Sequence, residues 1–236
     1  MKKTCKDIEG AGRKMIAGID EAGRGPVIGP LVIGLVLAKK DQLEKLQKLG
    51  VDDSKKLSIS KRTMLSQIIM ENVEYYDTLV INPLEIDNYV FNDNLTLTNL
   101  MEHGLKKIIQ PIKSKITFLQ IDKMGGNDFA DRFKDDIKGK IICEEKGDAK
   151  YTSIGAASIL AKVVRDRIIE NIKKDVKKSD PNLPGLGSGY PSDPETKNFL
   201  REYFMKYNEF SDYVRKSWST ISNLTDILSQ SNLDDF

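Results

Sequence analysis

The sequence has a single histidine, His103, in 236 residues. A Ser–His–Asp triad needs a histidine next to a serine and an acid, and a histidine-rich zinc site needs several histidines. His103 stands in the segment TLTNLMEHGLKKIIQ, whose apolar spacing is typical of a helix, so we expect an ordinary helix residue. If the protein is a hydrolase, carboxylates must supply the chemistry.

Cysteines and long apolar runs are also scarce. Cys5 and Cys143 lie far apart without CxxC spacing, which argues against a disulfide framework or a structural zinc site. No apolar run approaches the roughly 18 residues of a membrane helix, and the first ten residues, MKKTCKDIEG, lack the apolar segment of a signal peptide. We therefore expect a soluble, cytoplasmic protein that has no membrane partner.

No strong net charge points to a nucleic acid, because the formal charge is only +2. A near-neutral total can still hide a basic face next to an acidic site. Phosphate-binding loops of the common kinds are missing as well. No GxxxxGK[ST] segment occurs, and GRGPVIG misses the dinucleotide fingerprint by one residue and follows two acids that would repel a pyrophosphate.

The apolar patterns predict strands and helices in a mixed order. The predicted strands cover residues 15–20, 29–38, 73–81, 115–122 and 140–145. The predicted helices include residues 60–72, capped by Ser60, a segment around His103, and a long helix over 153–178. This order predicts an α/β fold with a mixed sheet flanked by helices.

The chain organisation follows from a Pro- and Gly-rich stretch at residues 179–194. We expect a main domain over residues 14–178, then this loop and a C-terminal helical part to residue 228. Residues 229–236 are interpreted as a tail.

Two predicted strands end on an acid, Asp20 and Asp122. Ligands of open α/β sheets bind at the carboxyl ends of strands, so these side chains could converge there. Glu21 follows Asp20 and could reach the same site only where the strand ends, which Gly23 and Gly25 make sterically easy. The alternative is that each acid is a solvated strand end.

A third candidate position, Asp148, stands just before the long helix. Four carboxylates together would suit a two-metal site, because Mg²⁺ and Mn²⁺ prefer oxygen ligands. Two ions about 3.5–4 Å apart can activate a water and stabilise the leaving oxygen of a phosphodiester without any histidine. We therefore expect Mg²⁺ or Mn²⁺ as the cofactor.

Polar residues of the long helix form a second candidate group. Ser158, Lys162 and Arg165 fall on one helical face, where they could contact phosphates. The alternative is a solvated face on which Lys162 pairs with Asp166. The segment VDDSKKLS at residues 51–58, taken alone, is a solvated charged loop.

Taken together, these segments resemble the archaeal branch of the ribonuclease HII family. The order of GIDEAGRGP, DDSKKLS, LQID and GDAKYTSIGAASILAKVVRD, followed by GSGYPSDP and VRKSWST, carries the resemblance over about residues 15–220. It implies a ribonuclease H-like fold and a metal-dependent endonuclease that hydrolyses the RNA strand of RNA–DNA hybrids. It also implies incision of DNA on the 5′ side of an embedded ribonucleotide, by two metal ions, with 3′-hydroxyl and 5′-phosphate products.

The resemblance also assigns roles to individual residues. The catalytic, metal-binding acids would be Asp20, Glu21, Asp122 and Asp148. The group that reads the ribose 2′-hydroxyl would be Gly23, Arg24 and Gly25, with Tyr190 under the junction nucleotide. The phosphate contacts would be Lys55, Ser158, Lys162 and Arg165. The alternatives are a catalytically silent hybrid-binding protein and a tyrosine that only packs its loop.

The last residues carry a separate pattern. Gln230, Leu233 and Phe236 stand at i, i+3 and i+6, so one or two helical turns would place them on one side. This resembles the Gln-x-x-Leu-x-x-Phe peptide with which replication and repair proteins bind the sliding clamp. An ordinary terminal tail is the alternative. The expected partners are therefore nucleic acid and the clamp, and we expect a monomer.

Overall fold

The structure is a computed structural model that describes residues 14–51, 57–92 and 95–231. Its strands are β1 Met15–Ala22, β2 Leu31–Lys39, β3 Tyr75–Ile81, β4 Phe118–Asp122 and β5 Lys140–Glu144. Its helices are α1 Lys40–Lys48, α2 Ile59–Asn72, α3 Pro83–Asn92, α4 Leu97–Ile109, α5 Gly147–Lys150, α6 Thr152–Ser179, α7 Pro194–Tyr207 and α8 Ser219–Ser231. Short 3₁₀ turns cover Lys113–Lys115 and Phe129–Phe133.

The described strands form one five-stranded sheet in the order β3-β2-β1-β4-β5. β1 is antiparallel to β2 and parallel to β4, and β4 is parallel to β5. The sheet is therefore mixed and flanked by helices, and the fold-class prediction is confirmed. Because Ile19 pairs with Ile121, the next residues, Asp20 and Asp122, stand at the carboxyl ends of neighbouring strands.

Two strand glycines let α6 approach the sheet closely. A Cβ on Gly18 would lie 2.2 Å from the Ser153 carbonyl, and one on Gly34 would lie 2.3 Å from the Ala157 oxygen. No larger side chain fits against helix backbone at that distance. The first turns of α6 therefore lie directly against β1 and β2.

The chain divides into two compact units. The first contains the chain up to Ala22, Val32–Val80 and Thr98–Val164, and the second contains Gly23–Leu31, Ile81–Leu97 and the chain from Arg165 onward. A core of the first unit joins β2, α1, α2 and α6 through buried aliphatic side chains. The core of the second joins the segment after β1 to α6, α7 and α8. The predicted domain boundary at residue 178 stays a prediction.

Several predicted element ends were wrong, for local reasons. Ser58 rather than Ser60 caps α2, since its side chain accepts a hydrogen bond from the Lys61 N–H at 3.2 Å. β4 begins at Phe118 rather than at residue 115, because a 3₁₀ turn precedes it. α8 continues past residue 228 to Ser231.

The helix α3 was not predicted, and neither was the single turn α5. Pro83 was interpreted only as the end of β3, yet proline fits the first helical position, where no N–H bond is lost. The Glu85 carboxylate accepts from the Asn82 N–H at 2.8 Å, and Asn82 O accepts from Ile86 N at 3.0 Å. The first bond is one half of a capping box and the second is the first backbone bond of the helix, so Asn-Pro-Leu-Glu encodes a helix start.

Some predictions fall beyond the described part of the chain. Lys55, Leu233 and Phe236 lie outside it, and the Gln230 side chain is not described either, although α8 includes that position. Among the described helices, none has the length and apolar character needed to cross a bilayer.

Candidate functional site

Asp20 is a buried carboxylate two residues before the end of the central strand β1. Only 5% of the residue is exposed, and its Oδ1 accepts from the Glu21 N–H at 2.7 Å. The pKa of Asp20 is raised to about 6, by burial most of all and also by the charge of Asp122, although a hydrogen bond from Ser158 and the charge of Lys162 oppose the rise. The ionised carboxylate is therefore held at a cost, next to a second acid.

Ser158 was predicted to contact phosphate, but it is fully buried on α6 and hydrogen-bonds to Asp20. A hydroxyl in that position supports the carboxylate and does not face solvent. Lys162, one turn further along the helix, is half-buried and close enough for its charge to lower the pKa of Asp20. We therefore assign Ser158 to holding Asp20.

The two later acids lie where β4 and α5 meet. Asp122 ends β4, and its Oδ1 accepts from the Gly147 N–H at 2.7 Å. Asp148, the next residue after Gly147, is 3% exposed at the start of α5. Lys146 enters this turn with a positive φ of 56°, a conformation that non-glycine residues rarely adopt. The backbone hydrogen bond thus ties Asp122 to the turn that carries Asp148.

The sheet edge holds a further acid, Glu144, whose surroundings are different. It pairs in register with Asp122. Lys150 Nζ, at 2.8 Å, and the Tyr151 hydroxyl, at 3.0 Å, donate to its two carboxylate oxygens. These hydrogen bonds lower the pKa of Glu144, the one from Lys150 most of all. At Glu144 the donors of the chain outweigh burial, whereas at Asp20 burial and the charge of Asp122 outweigh the donors.

The four acids were tested for their fit to a divalent ion. In the described ranges, no group of three or more His, Cys, Asp or Glu side chains is arranged so that it could hold one ion. The donor chemistry does fit, because all four candidates offer carboxylate oxygens. A cation next to Asp20 would also offset the burial and the like charge that raise its pKa. The four-acid metal site stays a prediction.

The glycine loop after β1 belongs to the second unit. Gly23 has a φ of +85°, and a Cβ there would lie 2.4 Å from Arg165 Nε and 2.5 Å from the Pro30 oxygen. A Cβ on Gly25 would lie 3.7 Å from Tyr190 Cε1. Tyr190 is 44% exposed, and Arg24 is exposed too. The structure thus brings together the two predicted recognition elements, the loop and the tyrosine.

Arg165 lies under this loop with only 8% of its surface exposed. Its Nε and one of its two terminal nitrogens, Nη2, are buried and have no hydrogen-bond partner among the described residues. Burial lowers the pKa of the Arg165 guanidinium. Buried cationic donors without acceptors are costly, so their presence points to an anion as the missing partner.

Sequence reasoning missed three residues that support the loop, Asp87, Arg215 and Trp218. Arg215 is fully buried and donates to carbonyl groups of the loop, and Trp218 Nε1 donates to the Gly25 oxygen at 3.3 Å. Arg215 and Trp218 belong to the VRKSWST segment, which the resemblance included without a role for it. Asp87 carried no signal, because its partners lie about 130 residues away in the sequence.

Comparisons with known proteins agree with this description. The family model described as Ribonuclease HII matches residues 17–221. The Ribonuclease HII of Thermococcus sibiricus is 41% identical, over 94% of this chain and 97% of its own length. That of Pyrococcus furiosus is 40% identical, over 94% and 97%.

Solved structures show the same relationship. The crystal structure of ribonuclease H2 from Pyrococcus horikoshii superposes with a TM-score of 0.78 at 37% identity, covering 91% of this chain and 99% of that one. The ribonuclease HII in the PCNA complex from Archaeoglobus fulgidus gives 0.75 at 34%, covering 89% and 96%. A ribonuclease HIII solved with Mn²⁺ shares the fold, with a TM-score of 0.72 at 19% identity. The chain therefore belongs to the ribonuclease HII family and is a ribonuclease H, a hydrolase of phosphodiester bonds.

Proposed function

We propose that this protein is an endonuclease that cuts the RNA strand of RNA–DNA hybrids and incises duplex DNA on the 5′ side of embedded ribonucleotides. The reaction uses two divalent ions, Mg²⁺ or Mn²⁺, and leaves 3′-hydroxyl and 5′-phosphate ends. The observation that carries the proposal is the buried Asp20, whose charged form is disfavoured by burial and by Asp122. Binding alone has no use for such a carboxylate beside phosphates.

The acids would act as metal ligands. Asp20, Glu21, Asp122 and Asp148 offer carboxylate oxygens, and Ser158 holds Asp20 in place by a hydrogen bond. Bound divalent ions would supply a nucleophilic water at neutral pH and would stabilise the negative charge of the leaving oxygen. Lys162, whose charge reaches Asp20, would add positive charge for a substrate phosphate.

Selection of RNA would depend on the loop of the second unit. The 2′-hydroxyl is what distinguishes a ribonucleotide from a deoxyribonucleotide locally, and it can both donate and accept a hydrogen bond. Backbone groups of Gly23, Arg24 and Gly25 can approach it closely because the flanking residues lack side chains. The Tyr190 ring offers a flat surface to the sugar or base, and Arg165 offers its unpaired donors to a phosphate.

A single assay tests the chemistry. A DNA duplex with one embedded ribonucleotide is incubated with Mg²⁺, with Mn²⁺ and with EDTA, next to an all-DNA duplex of the same sequence. We expect one incision 5′ to the ribonucleotide, with a 3′-hydroxyl end, only when metal is present. Equal cutting of the all-DNA duplex would contradict 2′-hydroxyl recognition. Binding without cutting under every condition would favour a silent hybrid-binding protein.

Tyr190 has a separate test. Tyr190→Ala should reduce cleavage at a lone ribonucleotide about tenfold or more, on the scale of one lost stacking contact. The thermal midpoint should stay nearly unchanged, since the ring is 44% exposed. Tyr207→Ala is the matched control, a tyrosine that is 42% exposed in α7 of the same unit. A fall in stability without a change in cleavage would show that Tyr190 only packs its loop.

The C-terminal residues would bind the sliding clamp. The Archaeoglobus fulgidus relative was solved in complex with PCNA, which supports a clamp contact in this family. In this chain Gln230, Leu233 and Phe236 would supply it. Deleting residues 230–236 should abolish co-elution with an archaeal PCNA and should leave cleavage of short duplexes intact. Equal binding by the full-length and shortened proteins would assign no clamp role to the tail.

The remaining expectations are a monomer and a cytoplasmic location. The scarcity of cysteine supports a reducing compartment. Sedimentation of the purified protein tests the first expectation, and fractionation of the source cells tests the second.

A further inference from the structure

Arg215 binds the loop between β1 and β2, residues 23–30, which is called the recognition loop below. All three of its guanidinium nitrogens donate to oxygens of this loop. Nε donates to the Gly29 oxygen at 2.9 Å, Nη1 to the Arg24 oxygen at 3.1 Å and Nη2 to the Gly23 oxygen at 2.6 Å. The residue is fully buried, and its guanidinium lies 4.8 Å from the centre of the Trp218 ring. A rigid, planar fork of donors suits three acceptors of one loop, which a lysine ammonium cannot reproduce.

These bonds determine the direction of the opposite sides of the same peptide groups. A trans peptide is planar, so its N–H points away from its C=O. The structure contains no cis peptide among its described residues. With the Gly23 and Arg24 oxygens directed at Arg215, the N–H groups of Arg24 and Gly25 point away from it. Both residues are exposed, and Gly25 lies next to Tyr190.

The backbone around Arg215 is itself held firmly. Its own N–H donates to the Val27 oxygen at 2.9 Å. Asp87, which is 5% exposed, accepts from the N–H groups of Lys216 at 2.8 Å and Ser217 at 2.9 Å, and also from the Ser217 hydroxyl at 2.6 Å. Val27 belongs to the same loop, so the anchor outside the loop is Asp87, which holds the two residues that follow Arg215.

We propose that Arg215 is a positioning residue that orients the Arg24 and Gly25 amides for the 2′-hydroxyl, so that the preference for a ribonucleotide depends on it. This inference rests on the proposed function of the loop. In this role Arg215 does not contact the substrate itself. A hydroxyl oxygen has two lone pairs, so the oxygen at C2′ can accept from two backbone N–H donors.

The test compares two substrates that differ at one sugar position. One duplex carries a single ribonucleotide, and the other carries 2′-fluoro-2′-deoxyribose at the same place, which removes the hydroxyl and leaves a poor acceptor. The measured quantity is the kcat/KM of the ribonucleotide duplex divided by the kcat/KM of the 2′-fluoro duplex. The variants are Arg215→Ala, Arg215→Lys and Trp218→Phe. The matched control is Arg62→Met, which removes an arginine that donates to a backbone carbonyl, Leu57 O at 2.7 Å, in the first unit.

We expect Arg215→Ala to lower the ratio about tenfold or more, on the scale of a lost set of discriminating hydrogen bonds. Millimolar guanidinium should restore part of it, and ammonium should not. Arg215→Lys should lose nearly as much, because one ammonium cannot orient two carbonyl groups. Trp218→Phe, which keeps a ring and removes the Gly25 contact, should lower the ratio by a smaller factor. Arg62→Met should leave it unchanged.

The possible results distinguish a failure of the positioning role of Arg215 from a failure of 2′-hydroxyl recognition. A folded Arg215→Ala or Arg215→Lys enzyme with reduced rates and an unchanged ratio would overturn the positioning role. If Arg215→Ala does not fold, Arg215→Lys and Trp218→Phe decide by the same criterion. A wild-type enzyme that cleaves both duplexes equally would instead refute 2′-hydroxyl recognition itself, and with it this inference.

Discussion

Asp20 in the first unit and Arg215 in the second are both buried charged side chains, but the chain compensates the two charges to different degrees. Asp20 has a pKa raised to about 6, by burial and then by the charge of Asp122. Burial and the neighbouring Arg165 lower the pKa of Arg215 to about 9, so it stays protonated at pH 7. Three carbonyl oxygens surround the arginine. Acceptors of the chain itself therefore meet the charge of Arg215, whereas the hydrogen bonds to Asp20 do not offset its burial and the neighbouring acid.

Removing the charge of Asp20 should produce the largest effect on cleavage. Asp20→Asn keeps the size and a hydrogen-bonding group but removes the charge that a metal ion needs, so cleavage should fall on the order of 10³-fold. Hybrid binding should stay within about threefold, because phosphate contacts supply most of the affinity. Asp131→Asn, an exposed acid paired with Lys134, is the control and should stay fully active. Parallel loss of binding and cleavage would place Asp20 in binding instead.

A glycine substitution in the loop, at Gly23, can be compared with one outside it, at Gly50. Gly23 and Gly50 have nearly the same φ, 85° and 88°, but a Cβ meets nothing within 4 Å at Gly50 and meets Arg165 and Pro30 at Gly23. Gly50→Ala should cost about 1 kcal/mol of unfolding free energy, from the backbone alone. Gly23→Ala should cost roughly 2–4 kcal/mol, because overlap is added. Denaturant unfolding measures both, and equal costs would mean that the loop yields to the new side chain.

The two buried arginines should respond with opposite signs in stability. Arg165→Met removes buried donors that lack partners in the described chain, so stability should rise by about 1 kcal/mol. Arg215→Met leaves three carbonyls without their donor, so stability should fall by about 2 kcal/mol or more. Arg165→Met should also raise KM about tenfold and flatten the salt dependence of binding. A destabilised Arg165→Met protein would contradict the anion-site interpretation.

A smaller, pH-dependent effect concerns the loop before Tyr190. Hydrogen bonds from the Ser188 hydroxyl and N–H lower the pKa of Asp193 to about 2, from an ordinary value of 3.8. A carboxylate with a lowered folded-state pKa stabilises the fold fully above the ordinary value and loses that contribution as pH falls towards 2. The thermal midpoint should therefore drop between about pH 4 and pH 2. Asp193→Asn should flatten this part of the curve, and an unchanged slope would contradict the assignment.

The sequence allowed the fold and the family to be predicted because the informative residues are contiguous. GIDEAGRGP and the segment from Gly147 to Asp166 carry strand ends, acids and helix starts in local patterns. The burial of Ser158 was not foreseen, since a helical face does not reveal which side the sheet covers. That information lies in Gly18 and Gly34, whose missing side chains bring α6 onto β1.

The support of the loop was beyond sequence reasoning for a different physical reason. Asp87 and Arg215 act through backbone groups more than 120 residues away, and backbone groups leave no mark in a sequence. A buried arginine that binds carbonyls looks in the sequence like any arginine of a charged segment. The α3 helix, in contrast, was encoded locally by Pro83 and Glu85, and reading Asn82-Pro83 only as a stop signal was an error.

The three hydrogen bonds from Arg215 to the loop also affect the order in which the chain folds during synthesis. Its guanidinium and the oxygens that it binds are 186 to 192 positions apart in the sequence. Contacts of such long separation form late, because the whole intervening chain must first be made and folded. On a ribosome, the acids of β1, β4 and α5 all emerge before Arg215. We expect trypsin to cut readily after Arg24 in stalled nascent chains and to slow only when Arg215 has left the ribosome. A translating chain would then contain the proposed metal-binding acids before the proposed recognition loop is held in place.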